Sequence, residues 1–246
     1  MGCFVNCIKS SASLERDIKT LIPEMNIRRR MSRVVKMGVC CGLESLLSFD
    51  EIGDVDAIIT STSLGAIADS EKFLTNIITS KEKMLNPTPF IQSTFNTVGA
   101  QIALIRKMQC YNNTFVQRNN SFESGLLEAI LRLKCGVSRA VLVGVFDEAT
   151  PTVENILTRL GVLKGKTLGE GAIFFVLTKE RYDSSVAEID LDINGADGVS
   201  VRDNSDEYWS GAMAMLMAQA IEKRENATFI NDYSKCMKTT LSVSVL

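Results

Sequence analysis

The sequence predicts an α/β fold in which buried strands alternate with helices. In residues 120–133, apolar and small residues recur at three- and four-residue steps, the pattern of a helix with one apolar face. The valine-rich run 140–145 is typical of a strand covered on both faces, as in a parallel sheet. Residues 55–60 and 66–78 repeat the pairing of a buried strand with a helix, so we expect the α/β class.

The composition is that of a globular protein. The chain has 246 residues, 46% hydrophobic and 23% charged, which suffices for one large domain or two small ones. A formal net charge of −2 gives no electrostatic reason to expect nucleic acid as a partner. Because no apolar run approaches the ~20 residues that cross a bilayer, we expect no membrane span.

Histidine and cysteine usage limits the possible chemistry. The chain contains no histidine, which excludes Ser-His-Asp and Cys-His mechanisms and zinc sites that rely on imidazole. We expect neither a metal nor a cofactor. The N-terminus lacks the features of a signal peptide, so we expect a cytoplasmic protein with reduced thiols. The seven cysteines are Cys3, Cys7, Cys40, Cys41, Cys110, Cys135 and Cys236.

At the start of the chain, residues 2–9 predict a strand, and residues 13–27 a short helix that Pro23 breaks. Residues 31–47 predict a longer helix with a basic head. We interpret this head either as a solvated helix start with local salt bridges, or as a docking face for an acidic partner. The head consists of Arg28, Arg29, Arg30, Arg33 and Lys36.

A proline-rich segment follows the helix 66–78. Pro87 and Pro89 predict a stiff loop over residues 84–92, because each proline fixes its own φ. Ser93 is expected to cap a helix over residues 93–108.

The central segment predicts a strand over residues 111–116 that enters a helix through a sharp turn. Asn120 is expected to cap this helix, with Glu123 reaching back to the backbone N–H of Asn120. Gly136 is expected to end it. Such a turn places a side chain at the positive end of a helix, where α/β enzymes often mount a nucleophile.

The last hundred residues predict shorter elements. The Gly-Lys-Thr sequence at 165–167 lacks the Walker A spacing, so no nucleotide site is expected. The expected elements are a helix over 151–161, a strand over 173–177, a half-exposed strand over 187–193, a loop over 194–207, a helix over 208–224, and strands over 227–231 and 241–246.

Residues 111–148 resemble the nucleophile-elbow region of the β-ketoacyl-acyl carrier protein synthases, in the thiolase superfamily. The family pattern is a strand, Thr-x-x-Cys-x-Ser, a helix, a glycine, and a strand that ends in a small pair and an acid. Gapless counting back from Gly136, Gly144 and Asp147 places the family's nucleophilic cysteine on Asn119.

Two other segments carry the same resemblance. The sequence Gly169-Glu170-Gly171-Ala172, followed by an apolar run, matches a family motif at the start of a central strand. A family element with the order Pro-x-x-Phe, Asn, Ala-x-x-Ala is matched here by Pro87, Phe90, Asn96, Ala100 and Ala103.

The resemblance implies a thiolase-like layered αβαβα fold in a single domain, residues 1–246. Residues 1–178 correspond to a complete N-terminal half, and residues 179–246 to a shortened C-terminal half. In the family the second half supplies two histidines, which this chain lacks. Thiolase-fold proteins pair through a strand next to the elbow, so a homo- or heterodimer through residues 111–116 is expected.

The resemblance also implies candidate site residues, although no catalytic residue is assigned. Asn119 takes the nucleophile position, and the hydroxyl of Ser121 is a possible stand-in whose simpler interpretation is to satisfy a backbone donor. The acyl-pocket candidates are Phe90, Asn96, Asn119, Asn120 and Phe146. The carrier-protein docking candidates are Arg28, Arg29, Arg30 and Arg33.

The expected function is that of a β-ketoacyl synthase-like protein in fatty-acid or polyketide biosynthesis of the aryl polyene type. Without the nucleophile and both histidines it resembles the chain-length-factor proteins, which pair with an active synthase. The expected partners are an acyl carrier protein, an active ketosynthase subunit, or both.

Whether the chain is an enzyme stays open at the sequence level. One alternative is an active 3-oxoacyl-acyl carrier protein synthase or acyltransferase with a non-standard nucleophile, for which Cys110 and Cys135 are the nearby thiols. The other is a thiolase-like scaffold homodimer without catalysis.

Overall fold

The computed structural model of the chain describes residues 2–51, 53–193, 198–232 and 238–246, without the side chains of residues 202 and 203. The strands are β1 (Cys3–Ser10), β2 (Ala57–Ser61), β3 (Tyr111–Phe115), β4 (Ala140–Asp147), β5 (Thr167–Leu168), β6 (Gly171–Thr178), β7 (Ala187–Ile193), β8 (Val199–Ser200), β9 (Glu207–Tyr208), β10 (Ala227–Asn231) and β11 (Thr239–Val245). The helices are α1 (Ile18–Leu21), α2 (Met25–Arg30), α3 (Arg33–Leu47), α4 (Ile67–Thr79), α5 (Pro87–Gln92), α6 (Thr97–Arg106), α7 (Ser121–Lys134), α8 (Pro151–Arg159), α9 (Val201–Asn204) and α10 (Ala212–Lys223), and a 3₁₀ turn, Arg118–Asn120, precedes α7.

The described strands form one nine-stranded mixed sheet in the order β3-β2-β4-β6-β1-β7-β11-β10-β8, and β5 pairs with β9. The parallel pairing predicted for the buried strands is confirmed where β2 runs parallel to β3 and to β4. On its other side, β4 runs antiparallel to β6. Because β2 and β4 are parallel, their carboxyl ends meet at one edge of the sheet, beside the start of α7.

Strand β1, which contains a β-bulge, joins the two halves of the sheet. The register of β1 against β6 shifts between Val5 and Cys7. As a result, Cys3 and Val5 face the apolar cluster between the halves, whereas Cys7 faces the cluster under α3. The first residues of β1 pair with β7 as well, so one strand ties the N-terminal strands to the C-terminal ones.

Two apolar clusters define the layers. One lies between the N-terminal strands and α3 with α6, and includes Leu43, Ile102 and Phe146. The other lies between the N-terminal and C-terminal strands, where α7 and α10 contribute Phe122 and Met217. The layered α/β fold predicted for the chain is therefore confirmed.

The C-terminal strands β7, β11, β10 and β8 continue the sheet beyond β1. The alternation predicted for β7 is confirmed, because Ile189 and Leu191 are buried while Asp190 and Asp192 are exposed. The outer face of β7 thus carries acidic side chains in contact with solvent.

Several predicted elements are corrected. The helix expected over residues 13–27 is reduced to α1, and a separate helix α2 begins after Pro23. The loop expected over residues 84–92 contains α5, because Asn86 accepts a hydrogen bond from Thr88 N and Pro87 sits at the first helical position. The helix expected over 208–224 begins only at Ala212.

Two further predictions differ in detail. Ser93 does not cap α6, which begins at Thr97. The predicted loop over 194–207 contains β8, α9 and the first residue of β9, while its residues 194–197 lie outside the described residues. The six described cysteines are free thiols, and Cys236 lies outside the described residues.

Candidate functional site

A cavity of about 360 Å³ lies where the carboxyl ends of β2 and β4 meet the start of α7. Its walls are mostly apolar, with a buried amide and a buried carboxylate among them. The lining residues are Ser63, Leu64, Arg118, Asn119, Asp147, Leu157, Leu160, Val162, Leu168, Gly169, Tyr208 and Trp209.

Asp147, at the end of β4, organises the loop after β2. Its Oδ1 accepts hydrogen bonds from Thr62 Oγ1 at 2.6 Å, Ser63 N at 2.9 Å and Leu64 N at 3.0 Å. Ser210 Oγ donates to the other oxygen. Burial raises the pKa of this carboxyl, while the four donors oppose that shift. Asp147 therefore acts as a structural acceptor that shapes one wall of the cavity.

The Gly-Glu-Gly-Ala segment meets the basic head of α3 just outside the cavity. Arg33 Nη1 and Nη2 each lie 2.6 Å from an oxygen of Glu170, a bidentate pair. Glu170 also accepts from Ala149 N at 3.1 Å. The pKa of Glu170 is lowered, chiefly by its hydrogen bonds with Arg33. Glu170 thus fixes the chain after β4 to the start of α3.

The turn before α7 is tight and internally bonded. Arg118 has φ +55°, in the left-handed region that non-glycine residues rarely adopt. Ser121 Oγ donates to Arg118 O at 2.6 Å and accepts from Gln117 N at 2.8 Å. Ser121 is fully buried, so its hydroxyl satisfies backbone groups as the simpler interpretation predicted.

The capping box predicted for α7 is wrong. The side chain of Asn120 makes no cap hydrogen bond. Glu123 is fully buried and accepts a hydrogen bond from Asn231 Nδ2 on β10 instead of turning back to Asn120. Burial raises the pKa of Glu123 to about 7, although its hydrogen bond with Asn231 opposes the shift. Tertiary packing against β10 therefore outcompetes the local cap.

Asn119 is the buried amide of the cavity wall. It is 5% exposed, and its backbone oxygen accepts a hydrogen bond from Asn231 Nδ2 at 2.8 Å. Among the described residues, neither Nδ2 nor Oδ1 of Asn119 has a hydrogen-bond partner. A carboxamide at this position offers an NH₂ group with two N–H donors and an acceptor oxygen, but it has no nucleophilic thiolate.

Trp209 forms another part of the wall. Its indole is 5% exposed and lies tightly against glycines, since a Cβ on Gly169 would come within 2.7 Å of Trp209 Cδ1 and one on Gly211 would overlap the ring. Within the described part of the chain, the buried Nε1 has no hydrogen-bond partner. The indole of Trp209 is therefore closely packed against two glycine backbones in this part of the wall.

Of the five acyl-pocket candidates, the structure brings Asn119 to this cavity. Asn120 is buried beside it, within the turn. Phe90 is 56% exposed and packs against Phe73 of α4, with ring centroids 5.3 Å apart. Asn96 lines a separate cleft beside β3. Phe146 points away from the site into the core beneath α3.

The arginines of the basic head have different environments. Arg33 binds Glu170, and Arg28 Nη1 donates to the carbonyl oxygens of Ile22 and Pro23. Arg29 and Arg30 are exposed at the end of α2. These two side chains are the best placed for an external partner.

The nearby thiols lie far from Asn119. Cys110 precedes β3 and Asn119 follows it, so the length of this five-residue strand, about 16 Å, separates them. Cys110 is half-buried, and its pKa is raised by desolvation. Cys135 is exposed beyond the far end of α7, about 20 Å along the helix from its start.

Sequence reasoning assigned no site role to Asp147, Asn231 or Trp209, and it gave Glu123 only a local capping role. Asp147 carried one available signal, because it is the acid directly after a buried strand. Trp209 is the only tryptophan of the chain, which by itself indicates no position. Long-range contacts bring Glu123 to Asn231 and Trp209 to Gly169, and no local pattern encodes them.

Two classes of feature are absent from the described residues. No helix there has the length and apolar character needed to cross a membrane. No group of three or more cysteine, aspartate or glutamate side chains in these ranges is arranged to hold a metal ion.

Solved structures show the same fold at low identity. The chain is similar to the ketosynthase (ApeO) in complex with its chain length factor (ApeC) from Xenorhabdus doucetiae, at 18% identity, covering 98% of this chain and 99% of that chain, with a TM-score of 0.69. It is similar to the ishigamide ketosynthase/chain length factor, at 10% identity over 100% of both chains, with a TM-score of 0.77.

A third similar structure is AntDE:AntF, a type II PKS acyl-carrier protein in complex with its ketosynthase bound to the hexaketide. The identity is 14%, covering 100% of this chain and 99% of that chain, with a TM-score of 0.77. No curated protein sequence matches the chain.

The family comparison is more specific. The sequence profile described as "Beta-ketoacyl synthase, N-terminal domain" matches residues 9–160, more than half of the chain. This range contains the loop after β2, the turn at Asn119 and the acid at the end of β4. The chain therefore belongs to the β-ketoacyl synthase family.

Proposed function

We propose that this chain is a non-condensing subunit of a β-ketoacyl synthase pair, acting as a partner or chain-length subunit in fatty-acid or polyketide biosynthesis of the aryl polyene type. The observation that carries the proposal is the buried carboxamide of Asn119 at the nucleophile position, in a chain without histidine. A subunit that acts together with carrier proteins would be located in the cytoplasm.

The chemistry of condensation supports this proposal. A condensing subunit needs a thiolate that accepts the acyl chain and groups that assist decarboxylation of the second thioester. The carboxamide of Asn119 forms no acyl-enzyme at neutral pH. The Ser121 hydroxyl is hydrogen-bonded to Arg118 O at 2.6 Å and to Gln117 N at 2.8 Å. Because Ser121 is fully buried, its hydroxyl is not accessible to a thioester.

An unpartnered apolar surface supports a second subunit as partner. We call it the α4–α5 face; it comprises Leu74, Ile78, Met84, Phe90 and Ile91, each at least half exposed. No residue of α4 is buried, although that helix has a marked apolar side. Large apolar side chains that are exposed in this way are typical of an interface.

The edge strand β3 is a second feature that supports a partner subunit. β3 pairs only with β2 among the described strands, so one side of its backbone is open. Phe95 and Asn96 share a cleft with Asn112 and Asn113 of β3. A second subunit that pairs with β3 and covers the α4–α5 face would bury both features together.

The exposed side chains of Arg29 and Arg30 support an acidic carrier protein as a further partner. Arg28 and Arg33 are held by contacts within the chain and would contribute indirectly, by fixing α2 and α3. Binding through Arg29 and Arg30 should weaken as salt rises, because exposed charges are screened.

The test combines partner binding with intact mass. The chain is co-expressed with a cysteine- and histidine-bearing synthase and then exposed to acyl-carrier protein thioesters. We expect a stable heterodimer in which the acyl adduct appears on the synthase alone, and condensation that requires both chains.

Other outcomes would identify the alternatives. An adduct on this chain, lost on Cys110→Ala or Cys135→Ala, would establish an acyltransferase with a non-standard nucleophile. A homodimer that binds neither synthase nor carrier protein would establish a scaffold. Asn119→Cys serves as the positive control, since a thiol at the start of α7 is positioned to be acylated.

A further inference from the structure

Helix α8 forms one wall of the cavity but packs loosely against the rest of the chain. No residue of α8 is buried, although Leu157 and Leu160 line the cavity together with Val162 of the following turn. The neighbouring helix α7, by contrast, buries nine residues. Segments with few buried apolar contacts open locally at low free-energy cost while the core stays folded. The wall at α8 can therefore be displaced without disturbing the core.

The apolar side of α8 is only partly packed against this wall. One apolar stripe runs along the helix at three- and four-residue steps, and it consists of Val153, Ile156, Leu157 and Leu160. Ile156 is 50% exposed, and Leu160 is 70% exposed even though it lines the cavity. Apolar area of these side chains is thus still available for burial, which would stabilise a more closed position of the helix.

Polar contacts hold the segment at its N-terminal end and leave its length free. Within the described ranges, no side chain from Pro151 to Val162 makes a hydrogen bond or an ion pair. Just before α8, Thr150 Oγ1 donates to Glu71 Oε1 of α4 at 2.5 Å. Just after the segment, Leu163 is buried. The two ends are therefore attached to the core, and the part between them is held by the apolar contacts at the cavity.

Hydrogen bonds close α8 at both ends, so the helix can move as one rigid piece. Val153 N donates to Thr150 Oγ1 at 3.3 Å, which caps the N-terminal end. At the C-terminal end, Gly161 has φ +66°, in the left-handed region, and Val162 N donates to Leu157 O at 2.9 Å. Because these bonds lie within residues 150–162, they are kept when the helix pivots at Thr150.

We propose that residues 151–162 form a lid, which pivots at Thr150 and controls the access of apolar molecules to the cavity beside Trp209. In the open state the C-terminal end of α8 withdraws Leu157, Leu160 and Val162 from the wall. In the closed state these side chains cover the cavity and the apolar group that fills it. The movement needs no partner subunit, so it does not depend on the proposed function.

The single tryptophan reports on the lid, because Trp209 lines the same cavity and is 5% exposed. The purified full chain is titrated with acrylamide, which quenches the indole emission when it reaches the ring. Hydrogen exchange followed by mass spectrometry measures the opening of α8 itself, with α7 as the internal reference. Under native conditions, we expect the amides of α8 to exchange at least about tenfold faster than those of α7.

Thr150→Ala removes both the cap of α8 and the contact with Glu71. It should raise amide exchange in α8 about fivefold and increase the quenching of Trp209, while exchange in α7 stays unchanged. Thr158→Ala is the matched control, because it removes the same hydroxyl from an exposed position of α8. This control should leave both the exchange in α8 and the quenching of Trp209 as in the native chain.

Equal protection of α8 and α7 in the native chain would overturn the inference, whatever the variants do. So would a rise of equal size in α7 and α8 on Thr150→Ala, since α8 would then open only together with the core. Faster exchange in α8 with unchanged quenching of Trp209 would show that the cavity is entered elsewhere. Native exchange in Thr150→Ala would show that the helix does not pivot at this residue, and either result would also reject the lid.

Discussion

At the residue scale, Asp147 accepts four hydrogen bonds at the wall of the cavity. Three donors on the loop after β2 converge on one of its oxygens, and Ser210 brings the segment before α10 to the other. One carboxylate thus joins the two halves of the chain at the site. Its replacement should therefore affect stability more than a typical surface change does.

Asp147→Ala should lower the free energy of unfolding by about 3 kcal/mol or more, because it leaves buried donors unpaired. Asp147→Asn is the matched control. Its amide oxygen keeps the three loop donors, and the Ser210 hydroxyl can turn to accept from the new amide, so the loss should be smaller. Urea denaturation measures the free energy of unfolding of both variants. Equal losses of stability in the two variants would contradict the role of Asp147 as an acceptor for these donors.

Glu123 should make stability depend on pH. Its pKa is about 7 in the folded chain, against an ordinary value of 4.5, so between these values the folded state binds more protons than the unfolded state. Stability should fall as pH rises through this window and then level off, with a total of about 3 kcal/mol.

Glu123→Gln mimics the protonated side chain and should flatten that dependence. Glu128→Gln, on the same helix but partly exposed, should leave it unchanged. Denaturation curves from about pH 5 to about pH 8 provide the measurement. The same pH response in the native chain and Glu123→Gln would show that another group is responsible.

At the element scale, the contrast between α4 and α7 is informative. α7 buries nine residues between the two halves of the sheet, whereas α4 buries none. An amphipathic helix gains most of its stability from tertiary packing of its apolar face. Under the proposed function, the second subunit packs on the exposed apolar side of α4.

The double substitution Leu74→Glu with Ile78→Glu tests this partner. Both side chains are exposed, at 58% and 77%, so the melting temperature of the isolated chain should hardly change. Affinity for the partner subunit should fall at least about tenfold, because charges would enter an apolar interface. Analytical ultracentrifugation measures this affinity.

Val137→Glu serves as the control, since Val137 is 61% exposed and lies just beyond the C-terminal end of α7, outside the α4–α5 face. If it weakens assembly as much as the double substitution does, the α4–α5 face is not the specific interface.

At the scale of the whole molecule, β1 couples the two halves. Its pairing with both β6 and β7 predicts that they unfold together, although the apolar core is divided into two clusters. Trp209 fluorescence reports the site region, while far-UV circular dichroism reports the whole chain. The two denaturation curves should coincide.

Val5→Ala should lower the unfolding free energy by about 2 kcal/mol, because Val5 is fully buried between the halves. Both probes should shift by the same amount. A shift of only one probe would mean that the halves unfold independently.

The sequence by itself determined the α/β class, most of the helices and strands, and the family. These features depend on local periodicity, valine-rich runs and short motifs, which the chain carries in its linear order. It also determined which side chains are available for chemistry, since the absence of histidine and the asparagine at position 119 require no coordinates.

Only the tertiary structure decided which polar groups meet at the cavity. Glu123 fits the sequence pattern of a capping box, yet its side chain accepts a hydrogen bond from Asn231, 108 residues away. Phe146 lies only one residue from Asp147, yet the alternation of β4 directs it to the opposite face of the sheet. Trp209 reached the site because the glycines at 169 and 211 let its ring approach. Contacts between residues distant in sequence depend on how the layers pack, and a local pattern carries no record of that packing.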